Sequence, residues 1–502
     1  MLPPEERLPD LDVFVEEQLY FVVHAARQTG KTTAMIAFAK HLRAAGKAAV
    51  YVSLENTGVF EDVERAEAGW LEELREAARA QLPPNQCPPI DPPDAPTGSR
   101  LRSMLAQWAS AVGPLPIVLL VDEADVLRGD ALVSLLRQLR GGFATRGPGQ
   151  FPTSVALVGM RDLRDYLTSA KPNPGSPFNV KKASLTLPNF TNSEIGRLYA
   201  QHTEDTGQEF TAGAVERAYY WTQGQPFLVN ALAYQCVGYA RPLGDPRIEG
   251  AVTADDIDRA KEKLILSRTT HLDSLLYRLR EPRVAPIIQA ILLGAARIRY
   301  DDDDFQYAVD LGLVTPGPKG GADIANPLYR EVLVRQLSYN TQMNLPEPGW
   351  RWRTATGGLD LPALMHEFQV WWRRDAEIIE AEATEGYVEA AAQLAFMGFL
   401  QRVVNGDGRV TREYAAGRGR IDILVEYAGE RHAIELKRVR PNDGPDTIRA
   451  EGITQLCGYL DRVGLTEGWL VIFDQRKGRT WSQRMWNDDV EEGGRTLHIV
   501  GG

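Results

Sequence analysis

LYFVVHAARQTGKTTAMIAFAKHLRAA, Leu19 to Ala45, decides the fold of the first half of this 502-residue chain. Leu19-Tyr20-Phe21-Val22-Val23 is an unbroken apolar run of strand length, rich in aromatic and β-branched residues, and reads as a buried strand. AMIAFAKHLRAA, residues 34–45, consists mostly of helix formers. Between them Gly30-Lys31-Thr32 completes the phosphate-loop pattern, with Ala25 where that pattern has its first Gly. A strand feeding a helix through such a loop presents the backbone N–H groups of Gln28 to Thr32 at a helix N-terminus, where they cradle phosphates. Lys31 is then expected to meet the β- and γ-phosphates of ATP and Thr32 to ligate Mg²⁺, with Ala25, Thr29, Gly30 and Thr33 completing the loop.

PIVLLVDEAD, Pro116 to Asp125, is a wholly apolar strand ending in adjacent carboxylates. Asp122 is expected to hold the Mg²⁺ through water, and Glu123 to polarise the attacking water. The adjacent Glu resembles the ASCE class of P-loop ATPases, which includes AAA+ and STAND proteins. That resemblance makes Ser154–Met160 the next strand and places Arg161 where a γ-phosphate sensor lies. A surface Arg closing the strand is the other reading. Ala183–Leu187 becomes the fifth strand, Thr191-Asn192-Ser193-Glu194 a capping box opening a lid helix, and TQGQPFLVNALA, from Thr222, a second lid helix. The resemblance also implies an Arg donated by a neighbouring subunit, with Arg137, Arg140 and Arg146 as candidates. A homo-oligomer whose formation depends on nucleotide follows. Gln81–Gly98, Pro-rich and polar, reads as an exposed loop insert.

Near the other end, GRGRIDILVEYAGERHAIELKR, Gly417 to Arg438, holds two apolar runs flanking a turn near Glu430. Asp422 lies in the first. Glu435 and Lys437 lie in the second and share one face of it, because side chains alternate along a strand. Two carboxylates and an ammonium on an apolar sheet are costly to bury unless they serve a hard cation such as Mg²⁺. The pattern resembles the PD-(D/E)xK nuclease superfamily, with Ile421 where Pro usually precedes the first Asp. Gln455-Leu456-Cys457-Gly458-Tyr459 is similar to the Gln-x-x-x-Tyr helix of its RecB-like branch. Residues 386–400 read as a helix carrying Glu389, similar to the accessory acidic residue of that fold. The resemblance implies that Asp422 and Glu435 hold Mg²⁺, or Mn²⁺ in its place, while Lys437 orients the attacking water. Gln455 and Tyr459 are expected to place the substrate.

Residues 250–345 read as mostly helical. DDDDFQYAVDLGLVTPGPKGGADIANPLYREVLVRQL, from Asp301, suggests helix, short hairpin, helix, which is winged-helix-like. Such a domain binds DNA or only packs and switches. The acidic Asp301–Asp304 run favours the second, and reads as a solvated helix N-terminus. Trp350-Arg351-Trp352-Arg353 and Trp371-Trp372-Arg373-Arg374 either stack on bases or pack a connecting helix against a domain.

The net charge of −11 argues against a constitutive basic coat. Residues 380–502 carry sixteen Lys/Arg against twenty Asp/Glu, so nucleic-acid contact must use a local patch such as Arg409, Arg412, Arg418 and Arg420, or depend on assembly. Three scattered cysteines without metal or redox spacing suit a reducing cytosol. The N-terminus lacks the apolar core of a signal peptide and no run is long enough for a membrane span, so the expected location is cytoplasmic.

The expected architecture is therefore α/β: an ASCE P-loop ATPase domain with helical lid (1–245), a winged-helix-like middle domain (246–345), a linker helix (346–378) and a restriction-endonuclease-like domain (379–502). The expected function is ATP-gated, Mg²⁺-dependent cleavage of nucleic acid, DNA foremost, and by analogy alone a role in prokaryotic anti-phage or anti-plasmid defence. One alternative is a STAND-like switch with the nuclease as effector. Another is a nucleotide-dependent DNA-binding protein of mobile elements.

Overall fold

The computed structural model describes residues 3–57, 62–90, 94–127, 129–159, 181–237, 250–267, 277–279, 281–292, 302–316, 322–337, 352–354, 356–381, 391–404, 408–413, 422–476 and 478–502. The chain divides into two compact units. One comprises residues 1–266 with 310–312, the other 267–309 with 313–502.

The first unit is built on a parallel five-stranded sheet of order β2-β3-β4-β1-β5. Its strands are β1 (Tyr20–His24), β2 (Ala48–Ser53), β3 (Ile117–Asp122), β4 (Ser154–Gly159) and β5 (Lys181–Thr186). Continuous apolar runs fit a sheet covered on both faces. Tyr20 and Val22 face a core with Trp70, Trp108 and Leu135, while Phe21 and Val23 face another with Met35, Phe38 and Leu42. Helix α1 (Lys31–Ala44) supplies the second core; α2 (Val63–Gln81), α3 (Arg100–Val112) and α4 (Gly129–Phe143) supply the first. β4 lies between the P-loop strand β1 and the acidic strand β3. β5 begins two residues before the position read from sequence.

The Pro-rich segment after α2 is tethered at several points. Glu67, fully buried, accepts the backbone N–H of Gly98 (2.7 Å) and of Arg100 (3.2 Å) and the Gln138 amide (2.7 Å). Trp108 Nε1 donates to Gln86 O at 2.8 Å, and Arg75 Nε to Pro89 O at 3.2 Å. Burying a carboxylate is tolerable when donors surround it, as here. After β5 come the helices α5 (Asn192–Thr206), α6 (Ala212–Thr222), α7 (Pro226–Val237) and α8 (Ala254–Leu266). α5 opens with the Thr191/Glu194 capping box expected from sequence.

In the second unit, α9 (Ala285–Leu292) precedes α10 (Asp302–Asp310), a two-stranded antiparallel hairpin of β6 (Val314–Pro316) and β7 (Ala322–Ile324), and α11 (Pro327–Leu337). Asp304, in the first turn of α10, is paired with Arg283.

The rest of this unit is a mixed six-stranded sheet of order β12-β13-β11-β10-β9-β8. Its strands are β8 (Gly408–Glu413), β9 (Asp422–Tyr427), β10 (Glu430–Val439), β11 (Glu467–Asp474), β12 (Asn487–Glu492) and β13 (Arg495–Gly501). α12 (Leu361–Ala381) and α13 (Ala391–Val404) lie on one face. Phe368 meets Phe396 at 4.7 Å and Phe473 of β11 at 6.1 Å between ring centroids. Trp371 and Trp372 are buried in the same cluster, and Gln369 Nε2 donates to Gly501 O at 2.8 Å. These tryptophans pack; they do not offer a stacking surface. α14 (Pro445–Val463) covers the other face with Leu456, Tyr459 and Leu460, and forms the crossover between the parallel strands β10 and β11. β12 is an edge strand whose Asp488, Asp489, Glu491 and Glu492 are exposed.

Candidate functional site

The loop between β1 and α1 takes the backbone turns its sequence requires. Gly30 sits at φ 87° and Gln28 at φ 58°, left-handed conformations that cost a non-glycine residue energy and cluster at ligand-binding loops. Lys31 Nζ, buried, donates back to Ala25 O (2.8 Å) and Ala26 O (2.9 Å), and Thr29 Oγ1 donates to Ala26 O (2.8 Å). The loop is thus curled around its own lysine. Ala25 N donates to Gly159 O of β4 at 3.3 Å, fixing the start of the loop to the sheet. Thr32 and Thr33 are exposed at the head of α1.

Thr32 Oγ1 donates to Asp122 Oδ2 at 2.8 Å, so the P-loop hydroxyl and the acidic strand meet directly. Asp122, 1% exposed, also accepts the Tyr51 phenol on Oδ2 (2.8 Å) and the Glu123 N–H on Oδ1 (2.9 Å). Glu123 stands at φ 56°, ψ 31°, another left-handed non-glycine residue at the end of β3. Burial, and after it the negative charge of Asp122, push the Tyr51 phenol far above its ordinary range, so it remains a donor. Arg161 and the side chain of Asp125 lie outside the described residues. Among the arginines considered for donation to a neighbour, Arg146 is engaged within its own unit, to Gln18 O (2.7 Å) and over the Phe143 ring. Arg137 and Arg140 are exposed on α4.

In the second unit the β9–β10 hairpin turns through Ala428 (φ 50°) and Gly429 (φ 85°), two left-handed residues as a two-residue type I′ turn demands. That turn sets the register. Tyr427 pairs with Glu430, and Asp422 pairs with Glu435. The Asp422 side chain and Glu389 lie outside the described residues, as do the side chains of Arg409 and Arg412 and all of Arg418 and Arg420. Glu435 is 1% exposed, and Lys437 Nζ lies 3.1 Å from its Oε1. Lys437 also donates to Gln455 Oε1 of α14. Gly452 lets α14 approach, since a Cβ there would come within 3.2 Å of Lys437 Cγ and 2.8 Å of Leu470 Cδ1. Tyr459, one turn beyond Gln455, is fully buried beneath the same helix, with the Arg462 guanidinium 5.3 Å from its ring centroid. Glu435, Lys437 and Gln455 are therefore brought together on one face, with position 422 as cross-strand neighbour. Among the described residues, no group of three or more His, Cys, Asp or Glu side chains gathers as a metal cluster.

Residues 15–167 match the family model described as "AAA domain". Over these residues the chain is similar to AAA domains. Its parallel sheet, helix-flanked on both faces, is the fold of P-loop ATPases. Among solved structures, the Walker-type ATPase PABY2304 of Pyrococcus abyssi is similar at 16% identity and a TM-score of 0.47, covering 66% of this chain and 96% of its own. Cdc6p of Pyrobaculum aerophilum gives 14% identity, a TM-score of 0.36, and coverage of 67% and 94%. The RuvB Holliday junction branch migration motor of Thermotoga maritima gives 14%, 0.36, 66% and 93%. No curated protein matches the sequence. Among the described residues no helix is long and apolar enough to cross a membrane.

Around the loop lie residues that sequence reading missed. Tyr51 was hidden inside AAVYVS, an ordinary strand pattern. The available signal was a hydroxyl near the C-terminal end of a strand, the end at which ligands bind in such sheets. Gln225, 6% exposed at the start of α7, was legible only as part of a helix-start motif. Its Nε2 reaches Gln28 O of the loop at 3.5 Å, and its Oε1 accepts the Leu228 N–H at 2.7 Å. Gly224, before it, stands at φ 73°, where a Cβ would fall 1.8 Å from Phe190 O.

Proposed function

We propose that this chain is an ATP-hydrolysing, metal-dependent nuclease that cuts nucleic acid, DNA foremost, in a nucleotide-dependent homo-oligomer. The proposed division is an AAA-like ATPase with lid (1–245), a winged-helix-like domain (246–345), a linker helix (346–378) and a PD-(D/E)xK nuclease domain (379–502). The AAA match and the strand inserted between β1 and β3 support the ASCE ATPase part. The observation that carries the nuclease part is the hairpin register: Glu435 buried beside Lys437 at 3.1 Å, with Asp422 as its cross-strand partner.

The donors at both sites suit a hard cation. Thr32 and Asp122 offer hydroxyl and carboxylate oxygens already in contact, and positions 422 and 435, both carboxylate residues, are register partners across β9 and β10. When bound, Mg²⁺ lowers the pKa of bound water and neutralises charge on the phosphate, with Mn²⁺ as a substitute in the nuclease site. At the ATPase site Lys31 would exchange its two loop carbonyls for phosphate oxygens, and Glu123 would hold the attacking water. Arg161 is proposed to face the γ-phosphate. At the nuclease site Lys437 would hold the attacking water, steadied by Gln455. Tyr459 would support substrate placement, and Glu389 is the proposed accessory carboxylate.

The test is cleavage of plasmid, linear and single-stranded DNA by the full-length protein, with and without Mg²⁺ and ATP. Metal-dependent cutting that Asp422→Ala abolishes, while basal ATP hydrolysis persists, is the expected result. Undiminished cutting by Asp422→Ala, with contaminating nuclease excluded, refutes the nuclease reading. Mass in solution without nucleotide, with ATP, and for Glu123→Gln with ATP tests assembly. A monomer in all three states refutes it.

A further inference from the structure

We propose that Tyr51 is a positioning residue for the metal-holding carboxylate of the AAA domain, and that Gln81 fixes Tyr51 in turn. The proposal rests on the reading of Asp122 as a metal-holding group. Three hydrogens converge on that carboxylate: Thr32 Oγ1–H and the Tyr51 phenol on Oδ2, and Glu123 N–H on Oδ1. The hydroxyl of Thr32 is the one required by the metal. The phenol of Tyr51 is then the side-chain donor left to hold Asp122 in one rotamer while the metal is bound.

Tyr51 is itself clamped. β2 is an edge strand, so its outer backbone groups have no neighbouring strand. The Gln81 amide, at the end of α2, takes that place at residue 51. Its Oε1 accepts Tyr51 N–H at 3.1 Å and its Nε2 donates to Tyr51 O at 2.7 Å. Arg43 Nη1 donates both to Gln81 Oε1 (3.2 Å) and to Ala49 O (2.8 Å), which fixes the orientation of the amide. The result is a continuous chain, Arg43–Gln81–Tyr51–Asp122–Thr32, from the sheet edge to the phosphate loop. A tyrosine needed only to fill space between β2 and α1 would not require its backbone pinned at this residue or its hydroxyl on Oδ2. Partners that orient a metal-holding group cost about 10–100-fold in metal affinity or activity when removed.

Tyr51→Phe removes one oxygen and keeps the ring. The measurement is the Mg²⁺ concentration giving half-maximal change in the fluorescence of a bound ATP analogue, for the full-length parent, Tyr51→Phe and Gln81→Ala. Nucleotide affinity in EDTA and ATP hydrolysis are followed alongside. In Tyr51→Phe the Mg²⁺ midpoint is expected to rise about 10–100-fold, metal-free nucleotide affinity to stay within about twofold of the parent, and turnover at saturating Mg²⁺ to fall less than metal affinity does. Gln81→Ala moves the midpoint in the same direction by less. A Tyr51→Phe midpoint within about twofold of the parent overturns the proposal, and so does an equal loss of metal-free affinity, which would mark general disruption. If the parent hydrolyses no ATP yet its Mg²⁺ midpoint still shifts in Tyr51→Phe, the hydrolytic reading falls and the positioning role stands.

Discussion

Replacing Glu435 by Gln keeps the shape of the most buried carboxylate on the C-terminal sheet and removes its charge. At 3.1 Å from Lys437 the two charges attract by about 5 kcal/mol at an effective dielectric of about 20. Part of that attraction offsets the cost of taking both groups out of water, so the net worth of the pair is smaller. Removing one partner of a buried pair costs about 3–5 kcal/mol, because the other is left uncompensated. Two features place this case at the lower end. The amide oxygen of Gln still accepts from the ammonium, and the Lys437 side chain retains 12% exposure. A loss of about 3 kcal/mol corresponds to a melting temperature lower by about 6–12 °C for a unit of this size. Scanning calorimetry of the full-length protein without metal or nucleotide reads that shift in the transition of the second unit. On the nuclease reading, Mg²⁺ at ten times its dissociation constant raises the parent transition by about 1.4 kcal/mol through mass action, and Glu435→Gln loses that response. A variant that melts with the parent, or that keeps the full Mg²⁺ response, refutes the argument that this pair is both a buried constraint and part of a metal site.

Three further outcomes are expected. Glu123→Gln should bind ATP within about threefold of the parent while turnover falls about 10²–10⁴-fold, as for loss of a general base; binding and phosphate-release assays check it, and parental turnover sinks the role of Glu123. Gly224→Ala places a Cβ 1.8 Å from Phe190 O and forces a residue with a side chain to φ 73°; it should cost more than the ~1–2 kcal/mol of a left-handed residue, seen as faster amide exchange across 190–237, and unchanged exchange counts against it. Burial holds the His432 imidazole below its ordinary value, with Glu430 and Glu467 opposing. The folded state then binds fewer protons than the unfolded one near pH 6, so stability is lost as pH falls through the ordinary histidine range of about 6.5; His432→Gln should flatten the melting temperature between pH 7.5 and 5.5, and an identical slope refutes the linkage.

Local patterns made much of this molecule legible. The strand, loop and helix around Lys31 are contiguous, and so are the Thr191/Glu194 box and the two runs that form β9 and β10. Each is a short-range physical rule acting within a few residues. What escaped reading depends on residues far apart in sequence. Tyr51 meets Asp122 across 71 positions and Gln81 across 30, and no local pattern marks either. The Trp371-Trp372-Arg373-Arg374 stretch is ambiguous for a different reason. Tryptophans beside arginines look the same whether they stack on a ligand or are packed with the charged ends reaching water. Only the partners Phe368, Phe399 and Phe473 distinguish the cases. The loop insert read as exposed because proline and polar residues dominate it, yet Glu67, distant in sequence, ties it down.

The exposed carboxylates of β12 bear on self-association. An outer strand offers unpaired backbone groups to any strand of a second copy, and strands settle about 4.7–4.9 Å apart when they pair. A copy of Asn487–Glu492 approaching its own kind would bring like charges to that spacing on both faces of the ribbon, since Asp488 and Asp489 point opposite ways, as do Glu491 and Glu492. The edge is thus guarded against itself at neutral pH by ionisation and not by shape. Salt screens these charges and so weakens the guard, and colloidal stability should fall as ionic strength rises, in light scattering, while the strand pairing of β12 to β13 is kept.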